Sequence, residues 1–160
     1  MLFNGIDERL RIKDEILLAI RHHVQNGPFR RESGGVLIGR ELIEGNLVVV
    51  EHMTGPKPRD FRGRHYFDRR DASHVVFYNE LNEKGCIYAY IGEWHTHPER
   101  VPKPSAKDLR NWSRIWGEDF ARSVQYHAIA GTNEIAFWAF GPVDMQVSLV
   151  ARWKWGDLGL

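Results

Sequence analysis

The spacing of apolar and polar residues predicts three helices. Between residues 10 and 25, leucine, isoleucine and valine recur at helical spacing with charged residues on the opposite face, and Gly27 follows where the pattern ends. A second helical segment covers residues 71–85. A third begins at Ser105 and carries one apolar face. The residues of that face are Leu109, Trp112, Ile115 and Trp116.

Strand patterns fill the intervals between these helices. Residues 31–39 and 47–52 predict a hairpin with a turn near Gly45. Residues 86–94 form a nearly continuous apolar run, as expected for a central strand, and we expect Cys86 to lie in the core. The last strands are predicted at residues 124–130, 135–140 and 143–150.

The order of these elements defines the fold class. The predicted order is helix, hairpin, helix, strand, helix and strands. This order is typical of an α/β domain in which a mixed sheet packs against helices. The chain has 160 residues, which is enough for one domain with a buried core. We therefore expect a single domain over residues 1–160, with its core at about residues 10–150.

Composition excludes several functional classes. The formal net charge of +1 does not favour nucleic acid as a partner. A single cysteine leaves no internal disulfide and no thiolate metal cluster. No run reaches the roughly 20 apolar residues of a membrane helix, and the first residues lack the pattern of a secretory signal. Together with the cysteine usage, these features predict a protein of the bacterial cytoplasm that does not contact a membrane.

Residues 54–70 are rich in arginine and lysine and show no regular apolar pattern. They form either a solvated loop or a recognition loop for an acidic or extended partner, because long loops in compact domains often carry function. On the second interpretation Arg59, Arg62 and Arg64 are candidate substrate-binding residues. Trp94, directly before the first histidine of the next motif, is a further candidate.

Residues 92–108 concentrate the candidate chemistry. His95 and His97 follow an apolar run, so in an extended chain both imidazoles project to the same side and can reach one metal ion. Zinc in hydrolases is usually held by three protein ligands, often two histidines and a carboxylate. Asp108 could supply the carboxylate, because a proline-containing loop turns the third helix back toward the end of the strand.

The segment from Ser105 to Asp108 has a second interpretation. Ser-x-x-Asp before an apolar helix is also a capping box, with Ser105 at the N-cap and Asp108 in the first turn. The two interpretations can coexist if Ser105 caps the helix while its hydroxyl faces the metal. His-x-His alone is a weak signal, but its combination with a Pro-rich loop and Ser-x-x-Asp is specific. The single cysteine excludes the zinc site of nucleobase deaminases, which needs Pro-Cys-x-x-Cys.

The complete pattern resembles that of the JAMM (JAB/MPN/Mov34) metallopeptidases. Their Glu-x-x-Gly-x-Leu-x-Gly strand is matched at residues 32–39, their His-[Ser/Thr]-His-Pro at residues 95–98, and their Ser-x-x-Asp at residues 105–108. Every motif position is filled, and the similarity covers roughly residues 10–150. The resemblance implies a cytidine-deaminase-like, three-layer α/β/α fold with a mixed, mostly antiparallel sheet and one zinc ion at a strand end.

The resemblance also implies a role for each motif residue. His95, His97 and Asp108 would bind Zn²⁺, and Glu32 would act as the general base. Ser105 would donate a hydrogen bond to the tetrahedral oxyanion. Within the family, the chain looks most similar to stand-alone bacterial JAB proteins encoded beside E1- and E2-like enzymes, including those of CBASS-type antiphage operons and integrative elements.

This similarity implies a zinc peptidase or isopeptidase that cleaves after the C-terminus of a ubiquitin-like protein or of a conjugated cGAS-like nucleotidyltransferase. We expect an extended C-terminal tail to add as a strand to an exposed sheet edge, with residues 47–52 as the candidate edge. One alternative is a peptidase that processes a sulfur-carrier protein in cysteine or cofactor biosynthesis. Another is a non-proteolytic or DNA-associated JAB module; the intact Glu32 disfavours a non-catalytic module and the near-neutral charge disfavours DNA.

Overall fold

One large sheet, one small hairpin and three helices make up the described part of the chain. A computed structural model describes residues 2–5, 9–42, 46–118, 124–141 and 146–159. Within those ranges the elements, in chain order, are β1 (Leu2–Asn4), β2 (Leu10–Lys13), α1 (Asp14–His22), β3 (Gly34–Leu42), β4 (Leu47–Met53), β5 (Phe61–Gly63), β6 (Tyr66–Asp68), α2 (Ser73–Asn82), β7 (Ala89–Thr96), α3 (Ala106–Glu118), β8 (Gln125–Ala130), β9 (Glu134–Phe140) and β10 (Val147–Lys154).

The large sheet is mixed and mostly antiparallel, as predicted. Its eight described strands follow the order β1-β2-β4-β3-β7-β8-β9-β10, and β5 and β6 form a separate two-stranded sheet. The pairs β2–β4 and β7–β8 run parallel. The other neighbouring pairs of the large sheet run antiparallel. Strand β7, which precedes the candidate site, is therefore central, between β3 and β8.

Helices cover both faces of this sheet. Helix α1 belongs to a buried cluster with Ala128 and Phe137, whereas Trp112 of α3 belongs to a second cluster with Ile129 and Ala136. Successive residues of a strand point to opposite faces, so α1 and α3 lie on opposite sides of β8 and β9. This arrangement confirms the predicted α/β/α layering. The buried apolar residues of α1 are Ile16, Leu17 and Ile20.

Two predictions about the first half of the sheet are wrong. Residues 10–13 form β2 rather than helix, because Leu10 and Ile12 are buried in alternation and this segment pairs in parallel with β4. Helix α1 therefore begins at Asp14. Strand β4 is not an edge, since it pairs with β2 on one side and β3 on the other. Residues 48–50, which are paired on both sides, consequently have no free side to which a substrate strand could add.

The region between β4 and β7 also differs from expectation. Residues 54–70 are not wholly irregular, because they contain the antiparallel hairpin β5–β6. Cys86 is exposed rather than buried. The physical reason is that β7 begins only at Ala89, which leaves the first residues of the predicted strand outside the sheet.

The predicted apolar face of α3 is buried only in part. Trp112 and Ile115 are 2% and 4% exposed, but Leu109 is 37% exposed. Leu109 lies beside an open cavity that Phe140 and Val147 also line, rather than under the sheet. The prediction for Leu109 is therefore wrong, and the buried apolar contacts of α3 begin at Trp112.

The glycines of the early strand permit close packing between β3 and the end of β4. A Cβ atom on Gly35 would lie 2.0 Å from the carbonyl oxygen of Thr54, and one on Gly39 would lie 2.0 Å from that of Val49. Real Cβ atoms do not approach backbone so closely, so a side chain at either position would push the two strands apart. These positions explain two glycines of the 32–39 motif without reference to catalysis.

The end of the described chain closes one side of the core. Trp155 and Leu158 are both 6% exposed. The Trp155 indole N–H donates a hydrogen bond of 2.9 Å to the carbonyl of Gly131. Among the helices that the structure describes, none combines the length and the apolar character needed to cross a bilayer.

Candidate active site

The backbone of Glu32 is fixed between the hairpin and the central strand. Its amide donates to the carbonyl of Gly63 (2.7 Å), and Arg62 Nε donates to its carbonyl oxygen (2.7 Å). The adjacent Ser33 exchanges two hydrogen bonds with Thr96: Ser33 N donates to Thr96 Oγ1 (3.0 Å), and Thr96 N donates to Ser33 O (2.8 Å). Glu32 is therefore held as firmly as a residue within the sheet.

The side chain of Glu32 is buried beside the predicted ligands. Glu32 is 3% exposed and lines a cavity of about 190 Å³ together with His97, Ser105 and Asp108. Burial raises the pKa of Glu32 to about 8; the charge of His97 opposes this rise and that of Asp108 adds to it. A carboxyl group with such a pKa can gain or lose a proton near neutral pH, as general acid–base chemistry requires.

His95, His97 and Asp108 bring three potential ligand atoms together. The Nε2 atoms of His95 and His97 lie 3.0 Å apart. His95 Nε2 is 3.2 Å from Asp108 Oδ1, and His97 Nε2 is 3.4 Å from Asp108 Oδ2. Strand β7 and the residue after it supply the two imidazoles, and the first turn of α3 supplies the carboxylate. The structure thus places the three predicted ligands around one point.

The spacing of these atoms fits a metal ion. Zinc–nitrogen and zinc–oxygen bonds of about 2.0–2.1 Å in tetrahedral geometry place neighbouring ligand atoms about 3.3 Å apart. The two imidazole nitrogens are 3.0 Å apart, and each lies 3.2–3.4 Å from a different oxygen of the Asp108 carboxylate. Two imidazoles and one carboxylate next to an open cavity are also the donor set of catalytic zinc sites. The group could therefore hold a divalent metal ion.

Asp108 also belongs to the capping box at the start of α3, as predicted. Ser105 N and Ser105 Oγ each donate to Asp108 Oδ2 at 2.6 Å, and Asp108 N donates back to Ser105 Oγ at 3.2 Å. Burial alone would raise the pKa of Asp108, but hydrogen bonds from His95 and His97 outweigh it and hold the pKa well below its usual range. The Asp108 carboxyl group is consequently ionised at any physiological pH.

The outer nitrogen of His97 faces a second carboxylate. Its Nδ1 atom is buried and makes no hydrogen bond to any described residue, and Glu99 Oε1 lies 3.8 Å from it. Burial by itself lowers the pKa of His97, but the hydrogen bond and charge of Asp108 reverse the effect, so the pKa is raised. A small movement of the exposed Glu99 side chain would complete the carboxylate–histidine pair that often orients metal-binding imidazoles.

An aromatic stack supports the helix that carries Asp108. Trp112, one turn after Asp108, stacks on His127 of β8 with ring centroids 4.6 Å apart and planes 8° apart. Burial, assisted by the charge of His95, lowers the pKa of His127 to about 3, so this ring is neutral and accepts a hydrogen bond from the amide of Glu93 (3.2 Å). Sequence reasoning missed His127; a histidine inside an otherwise apolar strand was the available signal.

A buried chain of hydrogen bonds fastens the hairpin segment to the sheet. Thr54 Oγ1 accepts from the amide of Val36 and contacts His74 Nδ1. His74 Nε2 donates to Asp60 Oδ2 at 2.9 Å, and both of these side chains are 0% exposed. The Asp60 carboxylate also accepts three backbone N–H bonds, from Lys57, Arg70 and Asp71. Asp60 therefore ties together both ends of the segment that contains β5 and β6.

Two of the predicted substrate-binding arginines have structural partners. Arg62 binds the carbonyl of Glu32 and, through Nη2, the hydroxyl of Ser33 (2.7 Å). Arg64 Nη1 donates to the carbonyls of residues 27 and 28 at 3.1 and 2.6 Å. Arg62 holds the hairpin against the Glu32 segment, and Arg64 holds it against residues 27–28. Neither side chain lines the cavity of about 190 Å³.

The other two predicted contacts also lie outside that cavity. Trp94 is fully buried, and its indole N–H donates to the carbonyl of Thr54 (2.9 Å), so the structure does not bring it to the surface. The backbone amide of Arg59 donates to Asp71 Oδ2 (3.0 Å), while its side chain is exposed. Of the four residues, Arg59 alone keeps an exposed side chain without a structural hydrogen bond among the described residues.

A groove continues from the metal-binding group along α3. Tyr66 and Phe67 of β6 line the cavity of about 190 Å³ beside His97 and Asp108, which we call the metal-side cavity. Phe67 and Asp108 also line an adjoining groove of about 500 Å³. The α3 side of this groove carries basic residues at helical spacing, which places them on one face over about 10 Å. These residues are Lys107, Arg110 and Arg114. The groove begins at the metal ligands and is rich in positive charge.

Gln25 is a further supporting residue that the sequence did not single out. Its Oε1 atom accepts from Thr96 Oγ1 (3.2 Å), and its Nε2 atom donates to the carbonyls of Arg30 (3.0 Å) and Arg64 (2.9 Å). Thr96, between the two histidines, is thus fixed on both sides. A glutamine near the end of an amphipathic helix gives no sequence signal for this role.

These features define an α/β domain with a candidate metal centre at the end of a central strand. The chain matches the model of a protein family, described as prokaryotic homologues of the JAB domain, over residues 13–141. This chain therefore belongs to the prokaryotic JAB-domain family. The similarity predicted from the three sequence motifs is confirmed.

Relatives of known name and a solved structure agree with this assignment. A Vibrio cholerae protein named CD-NTase/cGAS isopeptidase is 40% identical over 119 residues, covering 68% of this chain and 75% of the relative. A Pseudomonas aeruginosa protein of the same name is 32% identical over 128 residues, covering 79% of each. The solution structure of a Desulfitobacterium hafniense protein matches with a TM-score of 0.59 and 17% identity over 88% of both chains, which supports the fold alone.

Proposed function

We propose that this chain is a zinc-dependent isopeptidase of the JAMM type. The observation that carries the proposal is the convergence of His95, His97 and Asp108, whose ligand atoms all lie within 4.8 Å of one another, beside a buried glutamate. Metal-binding residues next to a base of raised pKa form the minimum apparatus for hydrolysing an amide bond with water. The printed names of the relatives, which describe isopeptidases, support the same reaction class.

In this mechanism Glu32 moves the proton. His95, His97 and Asp108 would hold the zinc ion, which when bound acidifies water and polarises the scissile carbonyl. Glu32 would accept the proton of the attacking water and deliver it to the leaving amine, because its carboxyl group lines the same cavity. Its fixed backbone and its burial, at 3% exposure, keep the carboxyl group facing this cavity.

Ser105 would stabilise the oxyanion of the tetrahedral intermediate. Its hydroxyl lines the cavity and donates to Asp108 Oδ2 at 2.6 Å. To serve an oxyanion, the hydroxyl would rotate its hydrogen away from Asp108 while its backbone N–H continues to bind that carboxylate. One such donor is typically worth about 3 kcal/mol in the transition state.

We further propose that the substrate is a protein conjugated through an extended C-terminal tail. The relatives are named CD-NTase/cGAS isopeptidases, so a conjugated nucleotidyltransferase of that kind is the first substrate to test. Since β4 is internal, the outer edge of β6 replaces it as the proposed docking strand, because Tyr66 and Phe67 of β6 line the metal-side cavity. The groove along α3 would hold the chain on the other side of the metal.

The wider biological setting stays a prediction. The functional link to E1- and E2-like enzymes, the role in antiphage defence and the cytoplasmic location rest on the sequence resemblance. Genes next to this one would decide among these settings and the sulfur-carrier alternative.

The proposal is tested by separating metal content from turnover. Purified protein should contain about one zinc per chain, and His95→Ala and Asp108→Ala should each lose it. Glu32→Gln should keep the zinc and lower hydrolysis of a nucleotidyltransferase-tail conjugate about 10²–10⁴-fold, the usual contribution of a general base. His52→Ala, on β4, is the matched control and should change neither quantity. Zinc retained in both ligand variants would overturn the site assignment, and normal turnover by Glu32→Gln would overturn the base assignment.

A further inference from the structure

A second polar cavity, of about 180 Å³, lies next to the Glu32 segment and shares no lining residue with the metal-side cavity. This volume admits one tetrahedral oxyanion. Its lining residues are His22, His23, Arg30, Arg31, Ser33 and Arg62.

The charge around this cavity is of one sign. Five of the six lining side chains are basic, and no carboxylate is among the lining residues that the structure describes. Burial and the positive charge of Arg31 lower the pKa of Arg62, with Asp60 opposing the shift. Burial and the charges of Arg62, His22 and Arg30 likewise lower the pKa of His23. The basic groups repel one another, and the oxygens of Asp60 are occupied by the donors described above.

The end of helix α1 explains only part of this cluster. His22 Nδ1 bonds the carbonyl of Leu18 (2.8 Å), and Arg30 Nη1 donates to that of Val24 (2.9 Å), as basic residues at a helix C-terminus commonly do. Arg31 makes no hydrogen bond or ion pair with any described residue. The second terminal nitrogen of Arg62, Nη1, has no partner in the described chain either, although its Nε and Nη2 atoms are used. These two guanidinium groups have donors left for a ligand.

We propose that this cavity binds a phosphate-type oxyanion between Arg31 and Arg62, with His23 as a third donor. A guanidinium group can bind phosphate oxygens through parallel N–H bonds. Arg31 has all of its donors available within the described part of the chain. Arg62 offers Nη1, because its Nε and Nη2 atoms already bind Glu32 and Ser33. The size of the cavity admits the phosphoryl group, and any larger body attached to it would lie outside, along the exposed side of Arg31.

Occupancy of this site would also bear on Glu32. Arg62 is shared: it lines the cavity and donates to the Glu32 carbonyl. An anion that restrains the Arg62 guanidinium would restrain the backbone of Glu32. This consequence rests on the proposed function, whereas binding of the anion does not, so the test measures binding alone.

The experiment is a titration of the ¹⁵N-labelled, metal-loaded chain with inorganic phosphate at constant ionic strength. Saturable shifts are expected at the amides of residues 22–33 and at the Arg62 side-chain Nε. Arg31→Gln should weaken phosphate binding about 10-fold or more, the loss of one charge-assisted contact. Lys154→Gln makes the same change of charge on the exposed side of β10 and should bind as the wild type does. Arg31 is exposed and unpaired, so its variant should fold normally, which the remaining spectrum checks.

Three outcomes would overturn the proposal: no saturable shift, equal affinity in the two variants, or shifts confined to the α3 groove. The same shifts with chloride at equal ionic strength would also overturn it, because they would show general screening. A parallel titration with adenosine monophosphate identifies the source of the phosphoryl group. If it shifts the same signals and binds more tightly than phosphate, the ligand is a phosphorylated molecule; if it binds equally or more weakly, the ligand is free phosphate.

Discussion

Replacing Asp60 by asparagine tests how the hairpin beside the site is held. The Asp60 carboxylate accepts four hydrogen bonds, one from His74 Nε2 at 2.9 Å and three from backbone amides at 2.7–3.1 Å. An asparagine keeps the shape but offers one oxygen in place of two. If that oxygen faces His74 and the amide of Lys57, the amide hydrogens of Arg70 and Asp71 meet an NH₂ group instead of an acceptor.

The magnitude follows from those two displaced donors. A buried donor without a partner costs about 1–3 kcal/mol, and these two lie near the surface, where water can replace part of the lost bond. We expect a loss of about 2–3 kcal/mol in the free energy of unfolding. For a domain of this size that corresponds to a fall in Tm of roughly 5–10 °C.

The effect should also depend on pH in a defined direction. Burial alone would raise the pKa of Asp60, but the hydrogen bonds from Lys57, Asp71, His74 and Arg70 outweigh it, so its folded-state pKa lies below the ordinary value of 3.8. A lowered carboxyl pKa contributes stability that is complete above the unfolded-state pKa and is lost as the pH falls through the folded-state value. The difference between wild type and Asp60→Asn should therefore be constant from pH 6 to 8 and shrink below about pH 4.

Urea unfolding followed by tryptophan fluorescence measures this difference. The matched control is Asp157→Asn, an exposed aspartate for which we expect a change below about 0.5 kcal/mol. A loss below 1 kcal/mol at pH 7, or a difference that does not narrow at low pH, would refute the argument from the four hydrogen bonds. If the hairpin binds substrate, the fold increase in the KM of Asp60→Asn should exceed the fold decrease in its zinc content.

Three other predictions follow from the packing and the site. Gly35→Ala should destabilise the fold by roughly 1–3 kcal/mol in thermal unfolding, because its Cβ would lie 2.0 Å from the Thr54 carbonyl oxygen. The control Gly117→Ala, whose Cβ would have no atom within 4 Å, should be neutral or stabilising. Equal losses of stability in the two variants would contradict the importance of the Gly35–Thr54 contact. Ser105→Ala should lower kcat about 10²-fold with zinc retained, and an unchanged kcat would remove Ser105 from the mechanism. Arg110→Glu should raise KM for the tail substrate several-fold without loss of zinc, while an unchanged KM would exclude the groove from binding.

The motif residues were predictable because each carries its chemistry in its type and spacing. His95 and His97 alternate along an extended strand, and Asp108 follows a helix start with a capping serine; these are local patterns that the chain displays on its own. The order of elements likewise indicated the α/β/α layers, because amphipathic and apolar runs report which faces are buried.

The failures concern pairing between distant segments. Whether β4 is an edge depends on β2. Leu10 also fits the helical spacing that continues through α1, and the alternation of Leu10 and Ile12 is too short to mark a strand by itself. The same holds for Arg62: a basic residue in a loop looks solvated until the chain brings the Glu32 carbonyl within 2.7 Å. Side chains that hold a site in place leave little trace in sequence, because almost any donor at the right place would serve.

The register of the two central strands has a consequence for the order of events during synthesis. Gly34 of β3 lies opposite His95 of β7, so the base and the first ligand come together only when segments some sixty residues apart have paired. Closing such a long loop is an entropic cost that local contacts do not offset. A nascent chain therefore cannot assemble the candidate site until β7 has paired with β3 and the start of α3, which carries Asp108, has left the ribosome.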